Sequence, residues 1–203
     1  MVIKDMPKIE CPFVRKEING DYIVTPEIAE GYEWVFNDDS VMAIEKLHGT
    51  CVSIIITEGI ITSVFNRTER IPFFNKGKAH IIEGILESYK RGYIDLLEDG
   101  QHFGEIIGEK VNGNPYEIKG HLWIPFSTFS QNHLKYKSWG KYPKDFQTIS
   151  TWFEKDLIPL YASMYGKRDG FVEGIVFTHP KTGQMAKLRR DMFSWFKNGR
   201  HKE

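Results

Sequence analysis

VMAIEKLHGTCVSIII, Val41–Ile56, is the stretch whose reading decides the fold. Its flanks, Val41–Lys46 and Thr50–Thr57, are apolar and β-branched over the length of single strands. Between them stand Glu45, Lys46, His48 and Gly49. The pattern predicts a hairpin with Lys46-Leu47-His48-Gly49 at its corner. A lysine and a histidine at the inner corner of an apolar hairpin need a reason.

Outward from this stretch the pattern stays β-rich. Glu58-Gly59 reads as a turn, and IITSVFNR (Ile60–Arg67) returns as a further strand, giving a meander. Residues 1–40 hold short strand-like pieces and the turn signal NGD at Asn19. From Lys78 to Leu97, the residues Ile81, Ile82, Ile85, Leu86 and Tyr89 recur at helical spacing, so an amphipathic helix is expected, interrupted near Gly92. HFGEIIG (His102–Gly108) and HLWIPFSTF (His121–Phe129) read as neighbouring strands. QNHLKYKSWGKYPKDF, residues 131–146, reads as a basic, aromatic loop. Thr151 with Glu154 has the spacing of a capping box opening a helix, which Pro159 ends or follows with a second short one. GFVEGIVFTHP and QMAKLRR read as a hairpin through Pro180–Gly183, and DMFSWFKNGRHKE as a short closing helix. No regular βαβ alternation runs through the chain. The expected class is therefore α+β, antiparallel sheets flanked by helices, in a single domain over 1–203.

Composition narrows the function classes. Lys plus Arg (27) equals Asp plus Glu (27), so net charge predicts no dominant polyanion partner, while leaving room for a local basic patch. No apolar run approaches the roughly 20 residues of a membrane span, and the first residues lack the apolar core of a signal peptide. Two cysteines, Cys11 and Cys51, build neither a disulfide framework nor a zinc quartet. A cytoplasmic location fits that usage.

The charged residues set in apolar strands carry the chemistry. A lysine amine attacks phosphorus or carbonyl carbon only when neutral, and an unperturbed lysine is neutral in roughly one molecule per thousand near pH 7. Gly49 lets backbone approach a ligand closely. His48 can donate to a phosphate oxygen. Glu105 lies inside FGEIIG, Glu173 inside VEGIVF and Lys187 inside MAKLRR. Each alone reads equally well as an outward-facing strand residue. Together they suggest a face lining a polar groove, since a buried charge is costly without partners.

These segments resemble the motifs of the covalent nucleotidyltransferases. EKLHGT (Glu45–Thr50) is similar to the nucleophile motif Lys-x-His-Gly of the nick-sealing RNA ligases of phage and of RNA editing. Asn66-Arg67 resembles the arginine motif that follows it. FGEIIG resembles the third motif, with Glu105 as its acid, and Phe126 in LWIPF the aromatic that stacks on the base. EGIVF resembles the fourth motif, with Glu173. AKLRR resembles the fifth, with Lys187 and Arg189 at its basic positions. The order agrees along Glu45 to Arg189.

The resemblance implies a nucleotidyltransferase domain without a C-terminal OB domain, using ATP and Mg²⁺. Lys46 would form lysyl-AMP, with Lys187 supplying charge and Glu173 the metal contact. Glu105 would accept from a ribose hydroxyl, Phe126 would stack on adenine, and backbone near Glu45 would read its edge. His48, Gly49, Arg67 and Arg189 would complete the nucleotide site. AMP would pass to an RNA 5′-phosphate, and a 3′-hydroxyl would displace it. RNA ends or a nicked duplex are the implied partners, with a protein partner or oligomer replacing the absent domain. The segment holding Lys135, Tyr136, Lys137, Trp139, Lys141 and Tyr142 suits phosphate contact with base stacking. A DNA ligase, a GTP-dependent capping transferase, and a non-catalytic module binding nucleotides or RNA ends are the alternatives.

Overall fold

A computed structural model of the protein describes residues 2–196. In chain order its strands are β1 (Phe13–Ile18), β2 (Asp21–Ile28), β3 (Met42–Lys46), β4 (Thr50–Thr57), β5 (Ile60–Asn66), β6 (Glu69–Arg70), β7 (Gly100–Gly108), β8 (His121–Pro125), β9 (Gly174–Thr178) and β10 (Met185–Arg189). Every strand pairing is antiparallel. The class is α+β, and no helix among the described residues is long and apolar enough to cross a membrane. The chain forms two compact units, one from residues 2–8 and 47–133, the other from residues 9–46 and 134–196. Neither is contiguous in sequence, so no linker marks a boundary.

The first unit is a five-stranded sheet in the order β6-β5-β4-β7-β8. Val52 through Ile56 on β4 are buried without a break, as befits a central strand covered on both faces. The helix Ala79–Lys90 packs on β8. It approaches closely because Gly84 has no side chain: a Cβ there would lie 3.0 Å from the Ile106 Cδ1 and 3.2 Å from the Leu122 nitrogen. Its buried face runs through Ile81, Gly84, Ile85 and Ser88, while Leu86 and Tyr89, expected on that face, are exposed. The Ser88 hydroxyl accepts from the Trp123 N–H at 3.0 Å, so a polar residue serves the inner face there. The helix stops where Gly92 turns to φ +73°.

The second unit pairs a β1–β2 hairpin with a three-stranded sheet ordered β10-β9-β3. Asn19 (φ 54°) and Gly20 (φ 86°) take the left-handed conformations that a two-residue hairpin turn requires. The core gathers Phe13, Val35, Phe36, Phe153, Phe177 and Phe193. Asp145 caps the helix Phe146–Thr151, accepting from the Thr148 N–H at 3.0 Å. Thr151 is therefore inside that helix rather than its cap, and Pro159 precedes a short helix at Leu160–Ser163.

The expected meander corner is not formed. β3 is filled on one edge by β9, with Met42 opposite Thr178 and Lys46 opposite Gly174. On its other edge the Glu45 N–H donates to the Leu134 carbonyl and the Tyr136 N–H to the Ala43 carbonyl, both at 2.8 Å. β4 is filled by β5 and β7. With no edge left to share, β3 and β4 cannot pair, and Lys46-Leu47-His48-Gly49 carries the chain from one unit into the other. Two smaller departures follow. Phe126–Ser130 is a wide helical turn instead of strand, and Arg190–Met192 is a tight 3₁₀ turn. Residues 193–196 of the expected closing helix are a turn, and residues 197–203 lie outside the described residues.

Candidate active site

In the second unit, three strands bring four of the expected residues to one end of a sheet. Gly174, the first residue of β9, stands opposite Lys46 on β3 and Arg189 on β10. A Cβ on Gly174 would lie 2.2 Å from the Leu188 carbonyl oxygen and 2.6 Å from the Arg189 Cα, so only glycine lets the strands close here. Glu173 immediately precedes it. The Lys46 Nζ donates to the Glu173 Oε2 at 2.7 Å, and an Arg189 guanidinium nitrogen lies 3.9 Å from the other Glu173 oxygen. The Lys46 and Glu173 side chains are 23% and 11% exposed, so the pair is largely shielded yet reachable.

Lys187 lies on β10, and its own N–H donates to the Glu10 carbonyl at 2.8 Å. Its pKa is held below the ordinary lysine value, first by burial and then by the like charges of Arg189 and Lys46. This end of the sheet thus gathers Lys46, Lys187 and Arg189 about the Glu173 carboxylate, with Asp191 a second acid 3.0 Å from the Arg189 Nε, and its cations suit phosphoryl oxygens.

Glu45 alternates to another side of β3. It is 2% exposed; its Oε2 accepts from the Tyr161 N–H at 2.9 Å, while its Oε1 is buried without a hydrogen-bond partner. Burial pushes its carboxyl up to about 7, against the lowering effect of N–H bonds from Tyr161 and Leu160. Because its backbone N–H is taken by Leu134, that group does not point free toward a ligand.

In the first unit, Gly49 is fixed by close packing. A Cβ there would lie 2.1 Å from the Ile106 carbonyl oxygen and 2.7 Å from the Glu105 Cγ. Glu105 is buried on β7, opposite Cys51. Phe126 opens the turn after β8 and is half-buried. Arg67 is not on a strand: β5 ends at Asn66, and Arg67 turns at φ 56° with its Nε 3.0 Å from the Asp5 carboxylate. Two residues without a sequence signal join this group. The His48 N–H donates to the Tyr116 hydroxyl and the Asn112 Nδ2 donates to the Gly49 carbonyl, both at 2.7 Å.

Two rings of the expected basic, aromatic segment serve the core of the second unit. Tyr136 is buried, donating to the Ile158 carbonyl at 2.8 Å, and Trp139 packs 4.7 Å from the Phe177 ring. Tyr142 is 66% exposed. No three His, Cys, Asp or Glu side chains among the described residues are grouped to cage a metal. Glu173 is the carboxylate that Lys46 pairs with, and a single protein carboxylate suits Mg²⁺, which keeps several waters and takes substrate phosphate oxygens.

Comparison with solved structures places the fold. Naegleria gruberi RNA ligase with PPi is similar at a TM-score of 0.51 and 15% identity, over 77% of this chain and 52% of that one. The fold is that of an RNA ligase nucleotidyltransferase domain. An apo variant of the Naegleria ligase gives a TM-score of 0.49 at 15% identity, over 92% of this chain and 61% of the other. Another variant, with ATP and Mn, gives 0.48 at 13% identity, over 89% and 59%. The chain spans between half and about three fifths of these ligase chains. No family model matches the sequence, and no curated protein does.

Proposed function

We propose that this protein is an ATP-dependent RNA ligase working through a lysyl-AMP intermediate. The observation that carries the reading is the Lys46–Glu173 ion pair at 2.7 Å, with Arg189 and Lys187 on the neighbouring strand, within a fold of the RNA ligase kind. The similar Naegleria ligase structure includes PPi, the product that the first step of such a reaction releases.

In that step the Lys46 amine, having released its proton to solvent, forms a nitrogen–phosphorus bond to the α-phosphorus of ATP. The bond from that phosphorus to the bridging oxygen breaks, and pyrophosphate leaves with the electron pair. Glu173, already hydrogen-bonded to the Lys46 ammonium, holds Nζ in place. Lys187 and Arg189 stabilise charge on the phosphoryl oxygens. Glu105, Phe126, Arg67, His48 and Gly49 are assigned to ribose, base and phosphate contacts, and Glu45 to bracing the strand that carries Lys46. Glu173 would hold Mg²⁺, which when bound supplies positive charge against the phosphates. In the second step an oxygen of an RNA 5′-phosphate attacks the α-phosphorus and frees Lys46, which regains a proton. In the third a 3′-hydroxyl, giving its proton to solvent, forms a bond to the 5′-phosphorus while the bond from that phosphorus to the AMP phosphate oxygen breaks and AMP leaves with the electron pair.

The test is incubation with Mg²⁺ and either α-labelled ATP or α-labelled GTP, then denaturing electrophoresis and peptide mass mapping. An AMP adduct on Lys46 from ATP alone is expected. A GMP adduct would move the assignment to capping chemistry, and no adduct in folded protein would sink it.

A further inference from the structure

The loop 109–120, between β7 and β8, is built more rigidly than a surface connection needs. Three of its non-glycine residues are left-handed: Asn112 (φ 46°), Asn114 (φ 50°) and Glu117 (φ 53°). Such conformations persist only where neighbours over-determine them. Here they do. Val111 is buried in the core of the first unit at 3% exposure. Asn114 braces the far side, its Nδ2 donating to the Ile118 carbonyl at 2.9 Å and its Oδ1 accepting from the Ile118 N–H at 3.1 Å. At the base, the Glu109 N–H donates to the Gly120 carbonyl at 3.0 Å. The His121 Nε2 accepts from the Lys110 N–H at 3.2 Å, which puts the ring proton on Nδ1, 3.0 Å from Glu83.

This rigidity is spent on one neighbour. The loop extends two polar groups to consecutive residues of the nucleophile motif: the Tyr116 hydroxyl accepts from the His48 N–H, and the Asn112 amide donates to the Gly49 carbonyl. Gly49 also packs against β7, where a Cβ would lie 2.1 Å from the Ile106 carbonyl oxygen. His48 and Gly49 are thus held between β7 and the loop. We propose that Asn112 and Tyr116 are positioning residues for adenylyl transfer, clasping the His48–Gly49 backbone so that this segment meets the ATP phosphates without reorganising. The inference rests on the ligase reading above.

The closing experiment measures single-turnover lysyl-AMP formation with Mg²⁺ and α-labelled ATP in the full chain, alongside hydrogen exchange at the His48 amide. Tyr116→Phe keeps the buried ring and removes the acceptor. Asn112→Gly keeps the left-handed backbone and removes the donor. Each is expected to slow adenylylation at saturating ATP by about 10-fold or more, with the half-saturating ATP concentration changed by less than about 3-fold. Tyr116→Phe also speeds exchange at His48. Wild-type rates in both variants, or losses that only track a fall in melting temperature, would overturn the clasp while leaving the ligase reading in place. If Tyr116→Phe fails to fold, the Asn112→Gly rate decides. Absence of any adduct in the wild type would overturn both.

Discussion

Glu173 holds the Lys46 ammonium at 2.7 Å although 127 residues separate them in the chain. The pairing of Lys46 with Gly174 across β3 and β9 sets that distance. Lys46→Ala should therefore abolish adenylylation without unfolding the protein. Glu173 keeps the Arg189 guanidinium at 3.9 Å, so its charge is not stranded, and the stability loss should stay within about 1–2 kcal/mol. Labelling with α-labelled ATP and a thermal melt check this together. Residual adduct in the variant would remove Lys46 from the reaction.

Gly49→Ala should fail for a steric reason unrelated to chemistry. The new methyl would meet a backbone oxygen at 2.1 Å, at the point where Thr50 pairs with Ile106, and backbone cannot swing away as a long side chain can. A loss of about 3 kcal/mol is expected. Gly59→Ala is the control: it forces a left-handed residue, at φ 73°, into open space, so only about 1 kcal/mol is at stake. Urea titrations of both variants give the difference, and equal losses would mean that the close approach to the Ile106 carbonyl does not set the cost at Gly49.

The strands of this fold were legible because their apolar runs are bounded by turn residues with definite conformations, as at Asn19-Gly20 and Glu58-Gly59. Glu105, Glu173 and Lys187 stood out because charge inside a β pattern demands a partner, whereas Arg189 was named only through the resemblance of AKLRR to the fifth motif. What misled was adjacency. Val41–Lys46 and Thr50–Thr57 sit three residues apart and look like a hairpin, yet each strand fills its edges with partners far along the chain. Pairing of that kind leaves no local mark. Asn112 and Tyr116 were invisible for a similar reason. Their role depends on a loop conformation set by several left-handed residues, and their neighbours in sequence are ordinary turn formers. Tyr136 and Trp139 were read as available rings because a basic, aromatic composition does not tell a solvated loop from one folded onto a core.

Glu45 makes the wild-type protein sensitive to pH. Its carboxyl titrates near 4.5 when unfolded and at about 7 when folded, because burial disfavours the charged form. An acid whose folded pKa is raised costs nothing below the unfolded value, and its penalty grows as pH rises toward the folded one. The gap corresponds to about 3 kcal/mol. Glu45→Gln lacks this titration, so the stability of the wild type relative to the variant should fall by about that amount between pH 4 and pH 8. Urea melts of both proteins across that range measure it. A constant difference would show that Glu45 stays ionised in the fold.

Lys187→Met should trade activity for stability. Burial and the charges of Arg189 and Lys46 hold the Lys187 pKa below its ordinary value, so the folded protein binds that proton less readily than the unfolded chain. For a base the penalty is full below the folded pKa and fades as pH climbs toward 10.5. Methionine keeps much of the length and apolar stem without the charge. At pH 7 the variant should be the more stable of the two, an advantage that shrinks in alkaline solution. Adenylylation should drop at least about 10-fold, since a cation near the developing phosphoryl charge is lost. Melting at pH 7 and pH 10 and the rate of adduct formation are the readouts. A variant less stable at pH 7 would mean that Lys187 gains more from Glu173 and Glu10 than it loses to burial. An unimpaired rate would take it out of the phosphate site.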